Sequence, residues 1–137
     1  MIKDVKKLEK IANDVRIDAL NMVYWAQSGH PGGSLGIADV ITAIYFYAMG
    51  ENDKFVLSKG HCSPALYGVL AEKGIIPKED LRGFRQADSY LQGHPSRNPK
   101  IGIDVSTGSL GQGISMASGM AISWQITDGR RQVNEKA

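Results

Sequence analysis

Three histidines occur in the chain, and each follows a glycine: Gly29-His30, Gly60-His61 and Gly93-His94. Two of them precede proline, Pro31 and Pro95. Proline fixes its own φ and pushes the residue before it toward extended backbone. Glycine lets the main chain come close to a ligand. Imidazole changes charge near a pH of about 6.5 and can donate a hydrogen bond in either charge state. Three imidazoles on separate glycine bends therefore suit a phosphorylated ligand and proton movement near neutral pH. Any one histidine alone reads as a hydrogen-bonded structural residue; the shared setting of all three weighs against that for the set.

The stretch Thr107 to Gly113, T-G-S-L-G-Q-G, is the second candidate. A glycine-rich turn that opens a helix offers unpaired N–H groups and the positive end of the helix dipole to an anion. A tight turn that needs glycine only for its shape is the competing reading. No Lys-Ser/Thr pair ends the stretch, so it is not a Walker A loop, and its glycine spacing is not G-x-G-x-x-G. His30, His61, Cys62 and His94 could bind zinc, but they lack the closely paired ligands of structural sites. Cys62 next to His61 could act as a nucleophile or as a small packing residue. Arg82, Arg85, Arg97 and Lys100 form a loose basic patch around His94. Solvated surface charge is the first reading of that patch and phosphate attraction the second.

Periodicity supplies the elements that must hold these loops. Apolar residues from Ile2 to Ala26 recur in steps of three and four, which predicts a long amphipathic helix. It ends at the glycines after Gln27 and leaves His30 just beyond. Ser28 to Gly36 is expected to be a stiff, irregular loop. A second helix is predicted from about Ile37 to Ala48, a third from Ser63 to Lys73, a short one from Lys78 to about Arg85, and a last from about Ile114 to Ile126. Ala117, Met120, Ala121 and Trp124 would mark the buried face of the last. Phe55 to Ser58 and Ile103 to Ser106 read as short buried strands. His61 would then lie at a strand's C-terminal end, where open α/β sheets bind ligands. Ala87 to Gly102 reads as a long loop carrying His94, and long ordered loops are often functional. Thr127 to Ala137 reads as an irregular tail.

Composition bounds the rest. The 137 residues read as one domain, with 42% hydrophobic content and a net charge of +2. That balance argues against nucleic acid or a membrane surface as partner. The one cysteine, Cys62, excludes an internal disulfide and fits a reducing, cytoplasmic setting. No apolar run approaches the roughly 20 residues that cross a bilayer.

Taken together, S-G-H-P-G-G-S-L-G (Ser28–Gly36), F-V-L-S-K-G-H (Phe55–His61), G-H-P (Gly93–Pro95) and S-T-G-S-L-G-Q-G (Ser106–Gly113) resemble the N-terminal, diphosphate-binding half of transketolases. I-A-N-D-V-R-I-D-A-L (Ile11–Leu20) matches as well. The 1-deoxyxylulose-5-phosphate synthases, which differ around the first two histidines, are the weaker match. Ser109, where many full-length transketolases carry proline, resembles the split two-subunit type.

The resemblance implies an α/β fold: an incomplete, helix-rich thiamine diphosphate-binding fold with a parallel sheet flanked by helices. It implies a carbohydrate-metabolic transferase, of the kind that serves the pentose phosphate pathway, moving a two-carbon ketol unit between sugar phosphates. Thiamine diphosphate would be the cofactor, with Mg²⁺ or Ca²⁺. His61 would contact the diphosphate, His30 and His94 would face the reacting carbons, and Gly108, Ser109, Leu110 and Gly111 would line the cofactor rings. The family's metal-holding G-D-G and Asn have no match here; Asp128-Gly129 lacks the preceding strand and the leading glycine. The resemblance therefore implies a truncated piece, about half of a split subunit, that is inactive alone. Its expected partners are sugar-phosphate substrates and the pyrimidine-binding C-terminal subunit, in a homo- or hetero-oligomer. The alternatives are a non-catalytic remnant of the same fold that binds a metabolite or a protein, and a fragment of a 1-deoxyxylulose-5-phosphate synthase-like enzyme.

Overall fold

Four α-helices carry the fold among the described residues. The computed structural model describes the backbone of residues 1–134 and the side chains of residues 1–127. Helix α1 spans Val5–Ala26, α2 Pro31–Ala43, α3 Ser63–Glu72 and α4 Gln112–Asn134. A π turn, Ile44–Ala48, continues α2, and 3₁₀ turns occupy Gly60–Cys62, Lys78–Gly83 and Pro99–Ile101.

Helix α1 starts where Asp4 can cap it. The Asp4 Oδ1 accepts from the Lys6 and Lys7 backbone N–H groups at 3.0 and 3.4 Å, which satisfies donors that have no partner inside the helix. It stops at Gln27, whose φ of 48° is left-handed and whose N–H turns back to Tyr24 and Val23. Ala12, Val15, Ala19 and Met22 form its buried stripe, at the spacing the sequence predicts.

Helix α3 lies at the centre. Every residue from Ser63 to Ala71 is buried, so this helix has no solvent face. Both α1 and α2 pack on it. Gly68 allows the close approach: a Cβ there would lie 3.3 Å from the Val15 carbonyl oxygen. Tyr67, Phe84, Met22, Ile41, Leu70 and Leu81 are the large, fully enclosed side chains around it. Each contributes about 1.5–3 kcal/mol by leaving water.

Three expectations are corrected. First, the parallel sheet is not seen: among the described residues there is no strand, only an isolated antiparallel bridge between Asn98 and Ile103. Phe55–Ser58 and Ile103–Ser106 are held by burial, with Leu57 and Ile103 in the core, and by the Lys54–Asp104 ion pair at 3.0 Å. A strand needs a neighbour to exchange a run of ladder hydrogen bonds with; among the described residues Phe55–Ser58 has no such neighbour, and Ile103 exchanges one pair of bonds with Asn98 alone. His61 accordingly follows no strand and sits inside a 3₁₀ turn.

Second, the Ser28–Gly36 loop is shorter than expected. Pro31 takes the first position of α2, where its missing N–H costs nothing, and Gly32, Gly33 and Gly36 lie within the helix. Glycine costs about 1 kcal/mol in a helix, but at Gly33 it makes room for a neighbour: a Cβ would stand 2.5 Å from the buried Cys62 Sγ.

Third, α4 continues past Ile126 to Asn134, so residues 127–134 are helical and not an irregular tail. The end of that expected tail, residues 135–137, lies outside the described residues. Helix α4 also lacks the expected buried face. Ala117 and Met120 are half-buried and Ala121 is exposed, while Trp124 keeps 49% of its surface in solvent.

Candidate active site: three imidazoles in a row

The three histidines come from distant parts of the chain and meet. His61 is central. Its ring centroid lies 5.0 Å from that of His30 and 4.6 Å from that of His94, and both pairs stand edge to face.

Each ring is placed by a different device. His30 is the residue just before α2, with φ −123° and ψ 83°, held extended by Pro31. His61 rides on the 3₁₀ turn before α3. Its neighbour Gly60 passes so close to another loop that a Cβ would fall 2.8 Å from the Thr107 carbonyl and 2.9 Å from the Gly108 nitrogen. Two side chains of α3 hold the His94 loop from below: Ser63 Oγ donates to the Gly93 carbonyl and Tyr67 OH to the Gln92 carbonyl, both at 2.8 Å. Thr107 N–H donates to the Pro95 carbonyl at 3.0 Å, which joins that loop to the glycine turn.

The glycine turn itself curls against Ser58. Gly111, at φ +85°, donates its N–H to the Ser58 carbonyl at 3.2 Å. A Cβ on Gly113 would lie 2.6 Å from the Ser58 Cα. Gly108 faces the His94 ring, 3.6 Å from where its Cβ would be. Ser109 and Leu110 point away from the core, Leu110 with 66% of its surface exposed. Lys59 Nζ donates to the Gly33 carbonyl at 3.3 Å, tying the His61 segment to α2.

The His94 imidazole is shifted below the ordinary histidine value. Removal of water from the ring is the main cause, followed by the charges of His61, Arg85 and His30. The neutral ring is favoured, as a proton acceptor near neutral pH should be.

Cys62 is buried in the core with its sulfur against Gly33, a packing role. Among the described residues no group of three or more His, Cys, Asp or Glu could hold a metal ion. A groove of about 980 Å³ between α4 and the segments at Val56 and Val105 is lined also by Lys54, Met116, Met120 and Trp124, and by none of the histidines. Ser63 and Tyr67 escaped sequence reasoning because their bonds run from a core helix to a remote backbone, which leaves no local pattern. Arg85 was visible only as part of a basic patch.

Residues 7–135 match the family model described as transketolase, thiamine diphosphate binding domain. The chain belongs to the transketolase thiamine diphosphate-binding domain family. This transketolase domain is 40% identical over 134 residues to the transketolase of Pongo abelii, covering 90% of the present chain and 21% of that relative. It is 42% identical over 128 residues to a 6-deoxy-6-sulfo-D-fructose transketolase subunit, SqwG, of a Clostridium strain, covering 87% of the chain and 46% of the relative. Among solved structures, the transketolase from Leishmania mexicana superposes with a TM-score of 0.76 at 38% identity, over 84% of this chain and 19% of that one. The transketolase domain thus spans about a fifth of the length of the full-size relatives it matches. No described helix is long and apolar enough to cross a membrane.

Proposed function

We propose that this chain is the diphosphate-holding part of a transketolase, acting in the transfer of a two-carbon ketol unit between sugar phosphates. The observation that carries this reading is the row His30–His61–His94 set against the Gly108–Gly111 turn.

The residues fit the cofactor on the chain's own terms. Ser58 Oγ, His61 Nδ1 and Thr107 Oγ1 are buried and have no hydrogen-bond partner. An unpartnered buried polar atom costs about 1–3 kcal/mol, and functional sites are where such atoms are tolerated. A diphosphate offers acceptor oxygens that would satisfy them. Gly60 lets the His61 turn lie directly against the Thr107–Gly108 backbone.

Thiamine diphosphate, when bound, would supply the carbon nucleophile that the protein lacks. His61 would hold the diphosphate. His30 and His94 would flank the reacting carbons, orient substrate hydroxyls and move protons, with His94 entering as the neutral base. Gly108, Ser109, Leu110 and Gly111 would line the cofactor rings, chiefly through backbone. Mg²⁺ or Ca²⁺ would accompany the diphosphate.

A second subunit is the expected partner, as the name of the SqwG relative indicates for that protein. Helix α4 supports a covering partner, since Ile114, Ile122, Trp124 and Ile126 are all exposed and large apolar side chains left uncovered together on one helix suit an interaction partner.

Calorimetry with thiamine diphosphate, with and without Mg²⁺, tests the cofactor. A ketol-transfer assay with an added pyrimidine-binding subunit tests the reaction. Binding without activity would leave the non-catalytic remnant as the better reading. Absence of any metal-dependent heat would end the cofactor reading.

A further inference from the structure

Arg85 connects two of the three histidine loops from behind. Its Nη1 donates to Ser28 Oγ at 3.0 Å, two residues before His30. The same guanidinium lies flat against Gly93, the residue before His94: a Cβ there would fall 2.7 Å from Cζ, Nε and Nη2. The backbone of Arg85 is also committed, with its N–H donating to the Leu91 carbonyl at 2.9 Å. Arg85 sits at φ +63°, a left-handed conformation that non-glycine residues seldom adopt and that persists only where the surroundings impose it. Its Nε is buried and has no hydrogen-bond partner, so the side chain is held by position and not by full satisfaction of its donors.

We propose that Arg85 is a positioning residue that fixes the spacing of His30 and His94 across His61, by clamping Ser28 on one side and Gly93 on the other. Gly93 is required by this clamp, because any side chain would displace the guanidinium. Arg85 also acts through charge. The groups facing His94 are His61, Arg85 and His30, and Arg85 is the permanent cation among them. It holds the loops together, and its charge adds to the larger effect of lost water in favouring the neutral His94 ring. The functional meaning of the clamp rests on reading the histidine row as the working face.

The test uses the full chain without cofactor or partner, so it can fail while cofactor binding stands, and the reverse. Histidine Cε1–H signals are followed by NMR across pH in wild type, Arg85→Gln, Arg85→Lys and Ser28→Ala. In Arg85→Gln the His94 midpoint is expected to move up toward the ordinary histidine value, and the amide signals of Gly29 and Gly93 to shift. Arg85→Lys keeps the charge and loses the fork, so the midpoint stays low while the amides shift. Ser28→Ala opens the clamp at its far end and remains readable if Arg85→Gln does not fold: the Gly93 amide shifts although Ser28 is remote from it in sequence. An unchanged His94 midpoint in Arg85→Gln would overturn the charge role. An unmoved Gly93 amide in Ser28→Ala would overturn the clamp.

Discussion

His61 and His94 stand edge to face with ring centroids 4.6 Å apart. At this spacing protonation of one ring disfavours protonation of the other. For His94, loss of water around the ring comes first and the charges of His61, Arg85 and His30 add to it. The His94 NMR titration is therefore expected below the ordinary histidine midpoint. His61→Gln, which removes one of those charges, moves it up. Folding follows the same sign: the unfolded chain binds the proton more readily, so the His94 contribution to stability is whole above a pH of about 6.5 and is lost as pH falls through the lower folded value.

Asp18 titrates in the opposite sense. Burial pushes its carboxyl from 3.8 up to about 6, against the attraction of Lys78 and with the help of Glu72. Lys78 lies 3.5 Å from Asp18 Oδ2 and also pairs with Glu72. A carboxyl whose folded value is raised stabilises the fold when protonated. That contribution is complete below 3.8 and disappears as pH rises through about 6. Asp18→Asn, which cannot ionise, should gain on wild type in denaturant midpoint as pH is raised from about 5 to about 7.5. Parallel curves for the two proteins would contradict this.

Gly60→Ala introduces a methyl 2.8 Å from the Thr107 carbonyl, which is backbone and cannot swing away. The strain should cost about 1–3 kcal/mol, read as a lower urea midpoint. Thiamine diphosphate binding should weaken more than the stability loss explains, because the substitution parts the His61 turn from the Gly108 turn.

His61→Ala removes the central ring and its unpartnered Nδ1. A hydrogen bond to a charged diphosphate is worth about 1.5–3 kcal/mol, so calorimetric affinity for thiamine diphosphate with Mg²⁺ should fall by about tenfold or more. Equal affinity in the two proteins would remove His61 from the cofactor site.

Leu70→Ala tests the scaffold. Leu70 is fully enclosed on the central helix, and truncation there should cost about 2–5 kcal/mol. Circular dichroism during urea unfolding would read it as an earlier transition.

Local chemistry is legible in the sequence. The α1 stripe through Val15 and Met22 follows from helical spacing, and the α3 run follows from a short apolar segment behind Ser63-Pro64. Glycine and proline around each histidine marked the bends, and four ordered motifs marked the family. What the chain alone could not supply were properties that need a neighbour. Phe55–Ser58 has the composition of a strand, but ladder bonds require a second backbone alongside it. Ser28–Gly36 has the composition of a loop, but Pro31 starts a helix there because the Gly33–Cys62 contact rewards close packing. Trp124 has the spacing of a buried face, but it only lines an open groove with Val56 and Val105 and stays half in solvent. Arg85 looked like surface charge until the fold brought Ser28 and Gly93 to either side of its guanidinium. Sequence determined which groups could do the chemistry, because residue type and backbone freedom are local. Only tertiary structure decided their distances, because those depend on contacts between residues far apart along the chain.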